Sequence, residues 1–150
     1  MKKGLLFLLL GLSIGFTSCK KEGCTNELAI NYDKEADKDD GTCELPEIVF
    51  DITSPAVGET FGLNSTVNIT GSISSNYDLT GYSLKLTNTA KGEVVLETKT
   101  ETLSKTFNID ETWLNSVSHH SDMLLEITAT DETDFEVLRG TSIAFHCHPM

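Results

Sequence analysis

Residues 46–150 predict an all-β fold, a seven-stranded antiparallel sandwich of the immunoglobulin type. Three observations lead to this prediction. Short runs rich in Thr, Val and Ile recur along roughly 100 residues, several of them alternate apolar with polar residues, and turn-forming residues separate them. A seven-stranded barrel is the alternative architecture.

The seven predicted strands share this composition and these flanking turn signals. They are residues 47–53, 66–73, 81–87, 93–97, 102–109, 123–129 and 137–145. The third is the clearest, because Tyr82, Leu84 and Leu86 alternate with polar residues. Between the fifth and sixth strands, an acidic start followed by an apolar pair predicts one helical turn over Asp110–Asn115.

Residues 1–18 have the layout of a secretory signal peptide. A positive start, Lys2-Lys3, precedes the apolar run Leu5–Leu12 and then small residues. This run is shorter than the about 20 apolar residues that a transmembrane helix needs. Cys19 directly follows Thr17-Ser18, which resembles a bacterial lipobox. The resemblance implies cleavage before Cys19, acylation of its thiol, and a protein anchored to a lipid bilayer without spanning it.

The chain is acidic, with 23 Asp and Glu against 11 Lys and Arg and a formal net charge of −12. Loss of Lys2 and Lys3 with the leader would change this charge to −14. So negative a surface argues against nucleic acid and anionic membrane surfaces as partners, and it favours cations.

Residues 19–23, Cys-Lys-Lys-Glu-Gly, form a short charged tether. A basic residue and acidic residues after the lipidated Cys resemble the export signal of Bacteroidetes surface lipoproteins. The resemblance implies a lipid-anchored protein of the outer membrane that is exposed at the cell surface.

Residues 24–45 resemble a small repeat found in many Bacteroidetes surface proteins. The matching motifs are Cys24-Thr25, Ala29-Ile30-Asn31-Tyr32, Ala36 and Asp39-Asp40-Gly41-Thr42-Cys43. The resemblance implies a disulfide-closed acidic spacer module with Cys24 and Cys43 as its bridge. In an exported, oxidising compartment such a bridge would stabilise the loop by about 3 kcal/mol.

Acidic side chains crowd this module and raise the possibility of calcium binding. Asp33, Asp37, Asp39 and Asp40 are the candidate ligands, because Ca²⁺ prefers several carboxylate oxygens. Their spacing does not match an EF-hand loop. A solvated acidic turn is the alternative interpretation.

Two further stretches resemble extracellular immunoglobulin-like domains of such lipoproteins. One is the lead-in Ile52-Thr-Ser-Pro55 with Gly58 and Phe61, and the other is Ile127-Thr-Ala-Thr-Asp131. The resemblance supports the sandwich fold and implies no particular activity.

The four histidines lie in two short stretches. His119-His120 precede the sixth strand, and His146 and His148 flank Cys147 at the end of the seventh. Because consecutive antiparallel strands run in opposite directions, we expect these stretches to meet at one pole of the sandwich, with His146 and His148 on one face. Imidazole and thiolate predict a copper or zinc site. Solvated histidines and a buried Cys147 are the alternative.

The predicted function is that of a membrane-anchored, exported binding module that captures copper or zinc. The alternative is a structural or adhesive surface module that contacts a protein or a glycan and has no metal of its own. We expect no enzymatic activity, because the sequence has neither a nucleophile-elbow motif nor a glycine-rich phosphate loop.

Overall fold

The computed structural model describes residues 20–132 and 139–149. The predicted signal peptide, the lipidation site Cys19 and residues 133–138 lie outside the described residues. The described residues form strands, turns and connecting segments without a helix. Accordingly, this part of the chain holds no helix with the length and apolar character needed to cross a membrane.

Eight strands follow one another within residues 20–132 and 139–149, and together they confirm the all-β, immunoglobulin-like sandwich. They are β1 (Glu22–Gly23), β2 (Lys38–Asp39), β3 (Ile48–Ser54), β4 (Thr60–Phe61), β5 (Thr66–Asn88), β6 (Glu93–Leu114), β7 (Ser121–Thr130) and β8 (Gly140–Cys147). Each of the long strands β5 and β6 joins two strands that the sequence predicts separately. The main sheet pairs are antiparallel, and the short β4 adds a parallel pairing to β8.

The β5–β6 hairpin takes part in both layers of the sandwich. The first half of β5 pairs with β3 and with the end of β6, while its second half pairs with the start of β6 and with β7. The register of β5 against β6 shifts between Ser74 and Gly81, where the hairpin passes from one layer to the other. Gly81 suits this passage, because a Cβ there would collide with the carbonyl oxygen of Thr100.

The core lies between the two layers and is continuous. Tyr82, from one half of the hairpin, meets Phe107, from the other, edge to face with ring centroids 5.4 Å apart. The fully buried aliphatic residues come from β5 and β7, with Phe145 added by β8. Burying each such side chain contributes about 1.5–3 kcal/mol to stability. The packing of these residues between the two layers therefore helps to position β7 and β8.

The predicted helical turn over Asp110–Asn115 is wrong. Residues 110–114 continue β6, and Val67 and Thr66 of β5 lie opposite Trp113 and Leu114. The strand alternates its side chains, so Trp113 packs against the core whereas Leu114 is 56% exposed instead of capping it. Pairing with β5 gives the backbone of residues 110–114 hydrogen-bond partners on another strand. The acidic residues that predicted a helix start provide no such partners.

The N-terminal module is closed by the disulfide between Cys24 and Cys43, as predicted. Its short strands β1 and β2 pair in parallel, and Ile30 packs against the sandwich core. Asn76 of β5 holds the following linker: its Nδ2 donates to the carbonyl of Leu45 at 2.8 Å, and its Oδ1 accepts from the backbone N–H of Glu47 at 2.9 Å. The module is therefore tied to the sandwich at both Ile30 and the linker.

Candidate functional site

The start of β7 and the end of β8 lie side by side at one end of the sandwich. Ser121 faces Cys147 and Asp122 faces His146 in the antiparallel register. The β5–β6 turn reaches the same end, where the backbone N–H of Thr89 donates to the carbonyl of Asp122 at 2.9 Å. We call this end, with His120, His146 and His148, the histidine pole.

The histidine pole brings together residues that lie far apart in the sequence. The rings of His120 and His148 meet edge to face, with centroids 4.2 Å apart. They border an open cavity of about 180 Å³, whose lining residues are Ala90, His120, Ser121, Asp122, His146, Cys147 and His148. The convergence that the strand order predicts is therefore present for three of the four histidines.

His146 occupies the outward face of β8 and is held from two sides. Its Nδ1 lies 2.7 Å from Oδ1 of Asp122 on β7, and its backbone N–H donates to the carbonyl of Glu59 at 2.8 Å. The two side chains remain 53% and 73% exposed, so both are in contact with water. The second ring nitrogen of His146, Nε2, is the atom left for a ligand.

His119, unlike its neighbour His120, is not among the residues that line the cavity. It is exposed, and its Nδ1 lies 2.9 Å from the hydroxyl of Ser118. The cavity is lined by His120 instead. Of the predicted pair, His120 is thus the residue that faces the end of β8.

Cys147 faces the core, opposite to His146 on the same strand. It is 0% exposed, and burial raises the pKa of its thiol to about 11. Met123, which neighbours the pole in sequence, is also buried and pairs with Phe145. Because a metal binds the thiolate and not the thiol, burial works against Cys147 as a ligand. Cys147 thus borders the cavity with its side chain fully buried, and the donors at the cavity surface are imidazole and carboxylate.

The histidine pole is not a preassembled metal site. Within residues 20–132 and 139–149, no three His, Cys, Asp or Glu side chains are grouped so that they could hold a metal ion. The imidazoles of His120 and His148 share a contact, and that of His146 is paired with Asp122. Ligation by all three would therefore require the rings to turn about their side-chain bonds.

Buried polar side chains hold the loops around the pole, and sequence reasoning missed them. Asn115 is fully buried, and its Nδ2 donates to the carbonyls of Phe61 and Gly62 at 3.2 and 2.8 Å. Ser121 accepts from Nδ2 of Asn88 at 3.0 Å and donates to the carbonyl of His119 at 3.0 Å. An Asn or Ser at a strand end looks like an ordinary turn residue in the sequence, so only the tertiary structure identifies these roles.

The candidate calcium ligands mostly serve the module's own turns. Asp33 pairs with Lys21 at 2.7 Å, which lowers the pKa of its carboxyl. Asp39 accepts from the backbone N–H of Gly41, and Asp40 accepts from Thr42, whose hydroxyl lowers the pKa of Asp40. Asp37 is exposed and donates its backbone N–H to the carbonyl of Lys21. Asp33, Asp39 and Asp40 each use one carboxylate oxygen in these contacts, whereas the contact of Asp37 is made by its backbone.

A second cavity of about 200 Å³ lies beside the 115–120 loop. Its lining residues are Asn88, Lys91, Glu93, Val95, Trp113, Ser116, Val117 and Ser118. Trp113 is half-buried there, and Asn88 is only 2% exposed. The Oδ1 of Asn88 has no hydrogen-bond partner within the described ranges. This cavity combines an aromatic surface with a polar rim.

No protein-family model matches the chain. Among curated proteins there is no match either. Among solved structures, the chain is similar to the crystal structure of the CARDB domain of the PF1109 protein from Pyrococcus furiosus, in complex with di-metal ions. The TM-score is 0.46 at 10% sequence identity, and the match covers 70% of this chain and 96% of that one.

Proposed function

We propose that this protein is an exported, lipid-anchored surface protein whose sandwich is a binding module for copper or zinc. The metal would be held at the histidine pole by His120, His146 and His148. Cys19 would attach the module to the outer membrane through its acyl chains, and the acidic module would act as a spacer. The chain would act by capture of the metal and not by catalysis.

The observation that supports metal capture is the approach of His120 to His148. The two rings meet although β7 and β8 separate them in sequence, and His146 borders the same cavity. Neutral imidazole is a preferred ligand of Zn²⁺ and Cu²⁺, with Zn–N distances of about 2.0–2.1 Å. The formal net charge of −12 favours the approach of a cation over that of an anion.

Weak, exchangeable binding fits this geometry better than a permanent structural site. The three rings must turn before they ligate together, and this reorganisation opposes binding. Two neighbouring strands hold the backbones of Asp122 and His146 in register, so the backbone that carries the His146 ring is already in place. We expect dissociation constants in the micromolar range, on the order of 8 kcal/mol of binding free energy.

Isothermal titration of the full-length chain in a mild detergent with Zn²⁺ or Cu²⁺ tests this function. We expect one metal per chain at micromolar affinity, lost in the double variant His146→Ala with His148→Ala. His119→Ala is the matched control and should bind as the parent does, because its ring points to Ser118. No binding by the parent chain, or equal binding by the double variant, would contradict the proposal.

A second candidate is an adhesive module that contacts a glycan, and the cavity beside Trp113 favours it. An indole surface next to hydroxyl groups suits the apolar face and polar rim of a sugar ring. Binding to a glycan array should then be lost in Trp113→Ala and kept in Leu103→Ala, which alters an exposed residue of the same strand. Equal binding by both variants would exclude this candidate.

A further inference from the structure

We propose that Asp122 is the positioning residue of the metal site: it holds His146 in the tautomer whose free nitrogen points away from β7 and can bind the metal. This inference rests on the proposed function, since it assigns a role within the same site. Asp122 was not among the predicted ligands, and it would act through His146 without touching the metal.

The register of β7 against β8 places Asp122 beside His146. Asp122 on β7 and His146 on β8 are directly opposed residues of an antiparallel ladder, the arrangement in which side chains on one face meet. Oδ1 of Asp122 and Nδ1 of His146 are 2.7 Å apart. On its other side, the backbone of β8 is fixed by β4, with Thr60 opposite His146. His146 is therefore restrained at two points, its backbone and the Nδ1 of its ring.

The carboxylate determines which nitrogen of His146 carries the proton. An ionised carboxylate only accepts hydrogen bonds, so Nδ1 must donate to it and bears the hydrogen. In the neutral ring the lone pair is then on Nε2, the nitrogen that a metal would bind. Such a carboxylate orients the ligand and raises its basicity, and loss of such an outer partner typically lowers metal affinity about 10–100-fold.

An exposed surface ion pair is the competing explanation. Pairs of this kind contribute little to stability and need have no relation to a ligand. The two explanations differ in two measurable respects. A positioning role requires the Nδ1–H tautomer in the metal-free protein and a loss of metal affinity without Asp122, whereas a surface pair requires neither.

Long-range ¹⁵N–¹H correlation spectra of the full-length chain in detergent, labelled at histidine, report the tautomer of His146 directly. At a pH where the ring is neutral, we expect the Nδ1–H form in the parent and a shift towards the Nε2–H form in Asp122→Ala. Asp51→Ala is the control, because it removes the same charge from an exposed position on β3. An Nε2–H tautomer in the parent would overturn the proposal.

Zinc titrations of the same variants supply the second readout. Asp122→Ala should weaken Zn²⁺ binding about 10–100-fold, and Asp51→Ala should leave it unchanged. Adding Asp122→Ala to His146→Ala should have no further effect, because Asp122 acts through that ring. Binding by the parent that is unchanged in Asp122→Ala overturns the positioning role alone. Failure of the parent to bind Zn²⁺ overturns the proposed function, and with it this role, whatever tautomer the spectra show.

Discussion

Cys147 and its neighbours His146 and His148 show how an extended strand separates two kinds of donor. The sequence places thiol and imidazole side by side, which suggests one mixed ligand set. In β8 successive side chains point to opposite faces, so Cys147 enters the core while His146 faces water. The alternation was predictable from the strand, but the degree to which Cys147 is buried depends on Phe61 and Phe145, which pack in the same core.

The thiol of Cys147 should be unreactive while the protein is folded. Burial leaves it inaccessible, and a pKa of about 11 leaves little thiolate at pH 8. Ellman's reagent should therefore label no thiol of a Cys19→Ser chain at pH 8, and it should label one after unfolding in concentrated guanidinium chloride. Rapid labelling of the folded chain would contradict the position of Cys147 in the core.

Lys21 should control the ionisation of Asp33 in the acidic module. The ammonium group lies 2.7 Å from the carboxylate and lowers its pKa. A carboxyl group whose pKa is lowered on folding stabilises the folded state above its ordinary pKa of about 3.9, and this contribution is lost as the pH falls through the lowered value. Carboxyl ¹³C titration should show a higher Asp33 pKa in Lys21→Met.

Lys38→Met is the matched control for this titration. Lys38 pairs with Glu22 instead, at 2.6 Å. The Lys38→Met substitution removes the same charge from the same module and should leave the Asp33 pKa unchanged. An equal rise in both variants would mean that general charge, and not the contact with Lys21, lowers the pKa of Asp33.

At the scale of elements, the strands follow from the sequence better than their junctions do. Alternation identifies the segments of β5 and β7, because one face of each is buried. The polar stretch Ser74–Asp78 looks like a turn but lies within β5, where Asn76 and Tyr77 bind distant partners, Leu45 and Asp131. Only the tertiary structure supplies those partners, and the same holds for residues 110–114 at the end of β6.

Asn115 should be the residue that holds β4 and the histidine pole together. Its Nδ2 donates to the carbonyls of Phe61 and Gly62, and Asn115→Ala would leave these acceptors without that donor. We expect a loss of about 1–3 kcal/mol in the free energy of unfolding, measured with urea. Asn108→Ala, at an exposed position of β6, is the control and should change it by less than about 0.5 kcal/mol. Equal stabilities would contradict the role of Asn115.

At the scale of the whole molecule, strand order is what makes the candidate site predictable. The convergence of His120 with His146 and His148 follows from the direction of two consecutive strands. Strand direction does not predict the role of Asp122, because the pairing of Asp122 with His146 depends on the residue-by-residue register of β7 against β8. A shift of one residue would turn Asp122 into the core and leave His146 without it. The leader and the lipid anchor remain predictions from the sequence.

Membrane attachment should depend on Cys19 alone among the cysteines. Acyl chains on its thiol would hold the acidic chain in a bilayer that its net charge otherwise disfavours. After expression in a Gram-negative host with lipoprotein processing, the parent should partition into the detergent phase of a Triton X-114 extract. Cys19→Ser should move to the aqueous phase, whereas Cys147→Ala should behave as the parent does. Detergent partitioning of Cys19→Ser would contradict the lipid anchor.

Anomalous diffraction tests most directly whether the histidine pole captures a transition metal. Crystals of the protein grown with Zn²⁺ should be measured on both sides of the zinc absorption edge. We predict an anomalous peak in the cavity, within about 2.0–2.1 Å of imidazole nitrogens and bordered by His120, His146 and His148. Zinc bound only elsewhere on the chain, or no peak in crystals whose cavity is open to solvent, would contradict the claim.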